Sequence, residues 1–195
     1  LPDPDEQEIH KLDVAKRQLV AAIRLFFQDY DPIVVYSLAH NAREILAEIC
    51  HYENKPGITD FIADTYNIGR KDVFRLSGRY SNFFKHANRD PRGVLDEFNE
   101  EDIDGILYSA AHDLSELQGC VIPVECQVYT VWFLVAYPAS KVVDVEADFS
   151  EEAKKLFDGL PMLERREQKN RGFKLLQFSL GSSELMQHPS PDRTM

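Results

Sequence analysis

The apolar residues of this chain recur at steps of three and four positions, and this period constrains the fold more than any other feature. One such pattern extends from about Glu6 to Gln28, and a second extends from Asp31 to about Tyr52. That spacing places apolar side chains on one face of an α-helix, whereas a half-buried strand needs alternation with a period of two. Because no segment sustains that alternation, the sequence predicts an all-α protein.

The helix boundaries predict an antiparallel bundle. At Asp31–Pro32, an aspartate that can cap the first turn precedes a proline, which is well tolerated as the first helical residue. The link between the first two helices is short, so they should pack as a hairpin. With the later periodic stretches, one of which we expect Ser150 to cap, we predict about five to seven helices in one bundle domain over residues 9–180. Residues 1–8 should be disordered, and residues 181–195 should form a flexible tail.

The most apolar run, Val121–Tyr137, is about 17 residues long and includes Glu125 and Gln127. A membrane span needs about 20 apolar residues, so we interpret this run as a buried helix and expect no membrane association. The acidic start of the chain does not resemble a secretory signal. Neither CxxC nor paired metal spacing links the three cysteines, Cys50, Cys120 and Cys126. Such thiols indicate a reducing, cytoplasmic compartment.

The segment Arg70–Arg92 is a basic island in an acidic protein. It carries a net charge of +5, while the whole chain has a formal charge of −11. The next segment, Gly93–Glu125, is rich in Asp and Glu and contains no Lys or Arg. Concentrated positive charge attracts anions, and the acidic remainder opposes general adhesion to nucleic acid or membrane. The basic segment is therefore the first candidate for a functional site.

Drawn as one helix from about Lys71 to Asn88, the basic segment places a polar stripe beside an apolar arc. The polar stripe consists of Arg75, Arg79, Asn82, His86 and Arg89. The apolar arc consists of Val73, Leu76, Tyr80, Phe83, Phe84 and Ala87. Two interpretations stay open: the stripe binds an external anion, or its cations pair with the acids of Gly93–Glu125.

The polar stripe has the groups that cleave RNA without a metal. That reaction needs a base to take the 2′-hydroxyl proton and a cation to stabilise the charged transition state. Histidine titrates near neutral pH and suits the first role, and the planar donors of arginine suit the second. His86 and Arg79 are the candidates for these roles, and Asn82 between them can orient the imidazole or the phosphate.

A metal site has weaker support. Glu44, Glu48 and His51 share a face of the second predicted helix, with the E-x-x-H spacing of carboxylate-bridged metal pairs. Those sites need a second E-x-x-H motif, and His112 does not supply it because Ser109 stands three residues earlier. We therefore predict neither a metal nor another cofactor.

Three stretches, KLDVAKRQLVAAIRLFF, DPIVVYSLAHNAREILAE and SNFFKHANRDP, give the chain a resemblance that covers roughly residues 10–137. The most specific piece is Asn82–Pro91. These stretches resemble an uncharacterised group of bacterial α-helical proteins, which is in turn similar to the HEPN (higher eukaryotes and prokaryotes nucleotide-binding) superfamily. The resemblance implies a HEPN-like bundle.

Many HEPN proteins are metal-independent endoribonucleases of toxin–antitoxin, abortive-infection and CRISPR systems, and others bind nucleotides or partners without cleaving RNA. Their hallmark is an arginine, four to six residues, and then a histidine on a helix, with the site completed across a dimer. Only Arg79 and His86 match it here. The match departs from the common form because Tyr80, rather than a polar residue, follows the arginine.

The leading hypothesis is therefore a cytoplasmic bacterial protein that binds RNA or cleaves it without a metal, within a toxin–antitoxin or phage-defence system. His86 would be the base, Arg79 the transition-state cation and Asn82 a positioning group, in a homodimer whose seam includes Phe83. Flanking phosphates would be held by Arg75, Lys85 and Arg89. The alternative is a non-catalytic helical interaction module whose basic helix pairs with the acidic surface of a protein partner.

Overall fold

A computed structural model describes residues 8–88, 90–117, 119, 121–138 and 155–187. Within these ranges the chain is all-α, as predicted, and contains no β-strand. The eight α-helices of these ranges are α1 (Lys11–Phe27), α2 (Pro32–Tyr52), α3 (Ile58–Tyr66), α4 (Arg70–Ser77), α5 (Arg79–Lys85), α6 (Asp102–Glu116), α7 (Val124–Ala136) and α8 (Arg165–Gln187). A short 3₁₀ helix, Leu160–Met162, precedes α8. Each described helix is either too short or too polar to cross a bilayer.

Several predictions concern residues outside these ranges. They are the cap at Ser150, the phosphate-binding role of Arg89, and the states of residues 1–7 and 188–195. Helix α8 continues to Gln187, which is seven residues into the segment predicted as a tail.

Helices α1 and α2 form the predicted hairpin, and the other long helices pack around it. The Asp31 carboxylate caps α2 by accepting from the backbone N–H of Ile33 at 2.9 Å and of Val34 at 3.3 Å. Helix α6 packs on α2, α7 packs on α1 and α6, and α8 packs on α7 and α1. Most of the buried apolar residues in the described ranges form one continuous core.

An aromatic cluster joins α1 to α7 at the centre of this core. The ring of Phe26 lies 5.3 Å from those of Tyr129 and Trp132, and Phe27 lies 5.8 Å from Trp132. All four residues are at most 2% exposed. Burying such rings contributes about 1.5–3 kcal/mol each, so this cluster is a main source of the bundle's stability. It also confirms the interpretation of Val121–Tyr137 as containing a buried helix.

Helix α8 is held by two ion pairs and a tyrosine hydroxyl, a set that we call the α8 clamp: Asp29, Asp104, Tyr137, Arg165 and Lys169. Arg165 donates to the buried Asp104 carboxylate, which also accepts from the Tyr137 hydroxyl at 2.6 Å. The Lys169 ammonium lies 2.7 Å from Asp29. A hydrogen bond from Lys169 lowers the pKa of Asp29, and burial raises that of Asp104 although Arg165 opposes the shift.

The prediction of one continuous helix from Lys71 to Asn88 is wrong. Helix α4 ends at Ser77 and α5 begins at Arg79, with Gly78 between them. The hydroxyl of Tyr36 donates to the Ser77 carbonyl at 2.7 Å. A Cβ at Gly78 would lie only 2.9 Å from His40 Nε2 and 2.8 Å from the Phe74 carbonyl oxygen. The break therefore forms where α2 approaches this backbone closely.

The break at Gly78 also disrupts the predicted apolar arc. Val73 and Tyr80 are buried, but Leu76 is 64% exposed and Phe83 is 41% exposed. A residue outside helical register changes the rotation of everything after it, so α4 and α5 do not share one apolar face. The same break contributes to the number of helices, which is larger than the predicted five to seven.

Candidate functional site

Most cations of the basic segment are paired with acids of the same chain. Arg70 contacts Asp60 and lies 3.1 Å from Glu48, while Arg75 lies 3.0 Å from Asp72 on its own helix. Arg79 pairs with Asp102 at 2.6 Å, and this pair, unlike those of Arg70 and Arg75, joins the basic segment to the acidic segment Gly93–Glu125. The positive charge seen in the sequence is therefore largely compensated locally in the folded chain.

Arg79, at the first residue of α5, is oriented by two neighbours. Its Nη2 donates to Asp102 Oδ2 at 2.6 Å, and its guanidinium carbon lies 4.5 Å from the centre of the Tyr80 ring. The hydrogen bond to Asp102 raises the pKa of Arg79 above its ordinary value. The side chain remains 57% exposed. A phosphate approaching Arg79 would meet the Asp102 carboxylate at the same guanidinium.

The C-terminal end of α5 is tied to α2 through Lys85. Its ammonium donates to Asn41 Oδ1 at 2.6 Å and lies 3.9 Å from Glu44 Oε2. Because both partners lie on α2, this contact fixes the end of α5 against the central hairpin. Lys85 is still 40% exposed, so it can also face an external anion.

Asn82 and His86 are exposed, and neither side chain has a hydrogen-bond or ion-pair partner in the part of the chain that the structure describes. His86 is not helical: it is the C-cap of α5, with φ −118° and ψ 58°, and its N–H donates to the Asn82 carbonyl at 3.2 Å. Arg79, Asn82 and Lys85 thus share α5, with His86 directly after it. Arg75 lies on α4, beyond the break.

Two buried residues of α2 were missed from the sequence, His40 and Arg43. They stand at helical spacing among Val35, Ala39, Ala42 and Leu46, which are buried. A histidine and an arginine within an apolar helical face are unusual, and this pattern is the signal by which they could have been found.

His40 is buried without a hydrogen bond to either ring nitrogen in the described structure. It is 1% exposed, its ring stacks on that of Tyr36, and its Nδ1 lies 3.6 Å from Glu44 Oε2. Burial, with smaller effects of Arg43 and Lys85, lowers the pKa of His40 to about 4. The imidazole is therefore neutral at pH 7.

Arg43 is a buried cation held by hydroxyl groups instead of a carboxylate. It is 2% exposed, and it donates to Ser77 Oγ at 2.6 Å and to Thr59 Oγ1 at 3.0 Å, with its guanidinium 5.0 Å from the Phe74 ring centre. Among the described residues no carboxylate lies within 4.0 Å of it. Burial lowers the pKa of Arg43, and the more distant Asp113 opposes this only in part.

Beside Arg43 lies a cavity of about 530 Å³, which we call the Arg43 cavity. Residues of six helices, α2 to α7, line it. Its walls are mainly apolar and include Ile58, Ile62, Val73, Ile106 and Phe133. The ion pair of Arg79 with Asp102 also lines it, so the basic segment forms one of its walls.

Within the described ranges no three His, Cys, Asp or Glu side chains are arranged to hold a metal ion. His51, considered as a ligand in the sequence, lies 3.5 Å from Asp60. The thiol of Cys50 is buried, and this burial raises its pKa to about 12. A thiol of that kind is a structural group rather than a nucleophile.

These features define an all-α bundle with an exposed polar helix end and a separate apolar cavity that contains a buried arginine. No family model, curated protein or solved structure matches this chain. The HEPN assignment therefore stays a prediction that rests on the resembling residues.

Proposed function

We propose that the chain binds RNA at the C-terminal end of α5. The observation that carries the proposal is that Asn82 and His86 are exposed and unoccupied by partners in the described chain, beside the 41% exposed ring of Phe83. Single-stranded RNA is bound by aromatic rings that stack on bases, by amides, and by cations that hold phosphates. Lys85 and the HEPN resemblance of Asn82–Pro91 support the same interpretation.

Metal-independent cleavage is the catalytic form of this proposal. His86 would take the 2′-hydroxyl proton, and Arg79 would stabilise the charge that develops on the phosphate. Since Asp102 already pairs with Arg79, the phosphate would have to displace that carboxylate, or a second protomer would have to contribute a cation. We therefore place binding before cleavage, and we propose a homodimer in which the two α5 ends meet near Phe83.

RNA binding is tested by fluorescence anisotropy with a labelled single-stranded RNA at low and moderate salt. The double variant Asn82→Ala/His86→Ala should bind about 30-fold more weakly, because two polar contacts of about 1 kcal/mol each are lost. His10→Ala, which removes an exposed histidine before α1, is the matched control and should bind as the wild type does. Equal binding by the double variant, or no binding by the wild type, would contradict the proposal.

Cleavage is tested separately, by growth and RNA integrity on expression of the wild type and of His86→Ala. RNA fragmentation that persists in EDTA and is lost in the variant supports catalysis. If expression of the wild type is harmless and RNA stays intact, the proposal of cleavage is contradicted. The proposal of RNA binding is then decided by the anisotropy measurement.

The second candidate is a non-catalytic module that binds a protein partner, as in a toxin–antitoxin or defence complex. It is favoured by the internal pairing of Arg70, Arg75 and Arg79, which makes part of the basic segment architectural, and by the exposure of Leu76 and Phe83. Exposed apolar side chains rimmed by charges are common at protein interfaces. Leu76→Asp and Phe83→Asp would then abolish complex formation while leaving the bundle folded.

A further inference from the structure

We propose that the Arg43 cavity binds a small molecule with an apolar body and one carboxylate group, and that Arg43 holds the carboxylate. The proposed RNA-binding side chains Asn82 and His86 do not line the cavity, although Arg79 of the proposed catalytic form borders it. Octanoate binding and RNA binding are measured separately, so either proposal can fail without the other.

The first argument is the charge balance around Arg43. A buried cation is costly unless an anion compensates it. Among the residues that the structure describes, Arg43 has as polar partners the hydroxyls of Ser77 and Thr59, and its guanidinium lies over the face of Phe74. A guanidinium has more N–H donors than these two hydroxyls can accept. A carboxylate has the charge and the paired acceptors that this fork of donors fits best.

The second argument is the chemistry of the cavity walls. A volume of about 530 Å³ lies in the range of about 300–1,000 Å³ that is typical of small-molecule sites, which are mostly apolar with a few polar groups. The other charged side chains of the wall do not compete with Arg43: Arg79 and Asp102 neutralise each other, and Glu101 is exposed to water. The charge buried in the cavity is thus that of Arg43.

Gly105 gives a way to fill the cavity without disturbing Arg43. It lies in α6, is exposed and lines the cavity, and a Cβ there would meet nothing within 4 Å. Leucine at this position should keep the helical backbone, since glycine is the poorer helix former, and should narrow the space at the edge that the Arg43 cavity shares with a second cavity beside Tyr137. Gly181 in α8 is also exposed with nothing within 4 Å, so Gly181→Leu is a matched control.

The experiment is calorimetric titration of octanoate and of octanol into the wild type, Arg43→Met, Gly105→Leu, Gly181→Leu and His86→Ala. Octanoate should bind the wild type more tightly than octanol does. Arg43→Met should weaken octanoate by about 10-fold or more, through loss of a charge-assisted hydrogen bond, and change octanol by less than about 3-fold. Gly105→Leu should weaken both ligands, and the other two variants should bind as the wild type does.

Circular dichroism and thermal unfolding establish that each variant is folded before titration. No octanoate binding by the wild type, equal affinity for octanoate and octanol, or unchanged octanoate affinity in Arg43→Met would each overturn the proposal. If Arg43→Met does not fold, Gly105→Leu decides: unchanged octanoate affinity in that variant places the ligand elsewhere and overturns it as well.

Discussion

The α8 clamp contains a partly buried arginine, Arg165, which is 27% exposed, and the Arg43 cavity is lined by a fully buried one. The two charges are compensated differently. In the clamp, Arg165 donates to Asp104. Burial lowers the pKa of Arg165, but the hydrogen bond to Asp104, the charge of Asp104 and the nearby tyrosines together raise it above its ordinary value. In the cavity wall, burial lowers the pKa of Arg43 and no close carboxylate reverses the shift. The pKa of an arginine is therefore shifted upward in one part of the bundle and downward in the other.

The charge of Arg165 is neutralised by a carboxylate of the same chain, whereas the charge of Arg43 has no close carboxylate among the described residues. A paired buried charge contributes to holding α8 in place, because either partner alone would be left uncompensated. Arg43 joins α2 to Thr59 of α3 and Ser77 of α4 through hydrogen bonds to neutral hydroxyls, and under our proposal its uncompensated charge makes the cavity selective for an anion. His40, one turn before Arg43 on α2, is buried without a hydrogen bond in the described structure, whereas Arg43 has two.

The largest expected effect is in the clamp. Arg165→Met should lower the free energy of unfolding by about 3–5 kcal/mol, because it leaves the Asp104 carboxylate buried without its cation. Urea denaturation measures the change. Arg166→Met is the control, because Arg166 is 90% exposed, 4.0 Å from Asp29, and should change stability by less than about 0.5 kcal/mol. Similar small losses in both variants would show that the clamp does not hold α8.

The second effect is a pH dependence caused by His40. Its pKa is about 4 in the folded chain against 6.5 for the ordinary group, so between these values the unfolded chain binds a proton that the folded chain does not. Stability should therefore fall as the pH is lowered from 6.5 to 4, by about 3 kcal/mol, and this contribution should level off below pH 4. Glu44 favours the proton on His40, while Arg43 and Lys85 oppose it.

His40→Leu should remove this part of the pH dependence, whereas His10→Ala, which changes an exposed histidine, should keep the wild-type slope. Urea denaturation at pH 7, 5.5 and 4 measures both. If the dependence of stability on pH is unchanged in His40→Leu, His40 is protonated in the folded chain. The buried side of α2 near Arg43 would then differ less from the α8 clamp than we infer.

The third effect concerns the close contact of α8 with α1. A Cβ at Gly172 would lie 2.1 Å from Phe27 Cε1, so Gly172→Ala should cost about 2 kcal/mol through displacement of the ring or of the helix. Gly181→Ala in the same helix meets nothing within 4 Å and should be neutral or slightly stabilising. Thermal unfolding distinguishes the two. Equal stability of both variants would mean that α8 packs less closely on Phe27 than the position of Gly172 indicates.

The sequence predicted the features that depend on neighbours along the chain. The cap at Asp31, the α1–α2 hairpin and the buried helix containing Trp132 follow from local spacing, and the structure confirms them. The break at Gly78 was missed because its cause is distant: Tyr36 and His40 of α2 approach the backbone there. The prediction of a polar stripe depended on an unbroken helix. Because the helix is broken at Gly78, Arg75 on α4 does not share a face with Arg79 and Asn82 on α5.

The candidate site was only partly predictable for the same reason. Local charge identified Arg79 and Lys85, but it could not show that Asp102 and Asn41 would contact them from other helices. Arg43 was overlooked because a single arginine in an apolar pattern has no charge run around it. Its significance comes from the absence of a close carboxylate among the described residues, which only the tertiary structure reveals.

The smallest expected effect tests the difference between Arg43 and Arg165 most directly. Arg43→Met should change the free energy of unfolding by less than about 1 kcal/mol, because the loss of two hydrogen bonds is offset by no longer burying a charge that lacks a close anion. The Ser77 hydroxyl keeps its own bond to the Val73 carbonyl, at 3.0 Å, while the buried Thr59 hydroxyl loses the bond from Arg43. Urea denaturation beside Arg165→Met compares the two arginines under one set of conditions. A loss as large as that of Arg165→Met would mean that Asp113 compensates Arg43 from a distance, and the cavity would then hold a structural charge like that of the clamp.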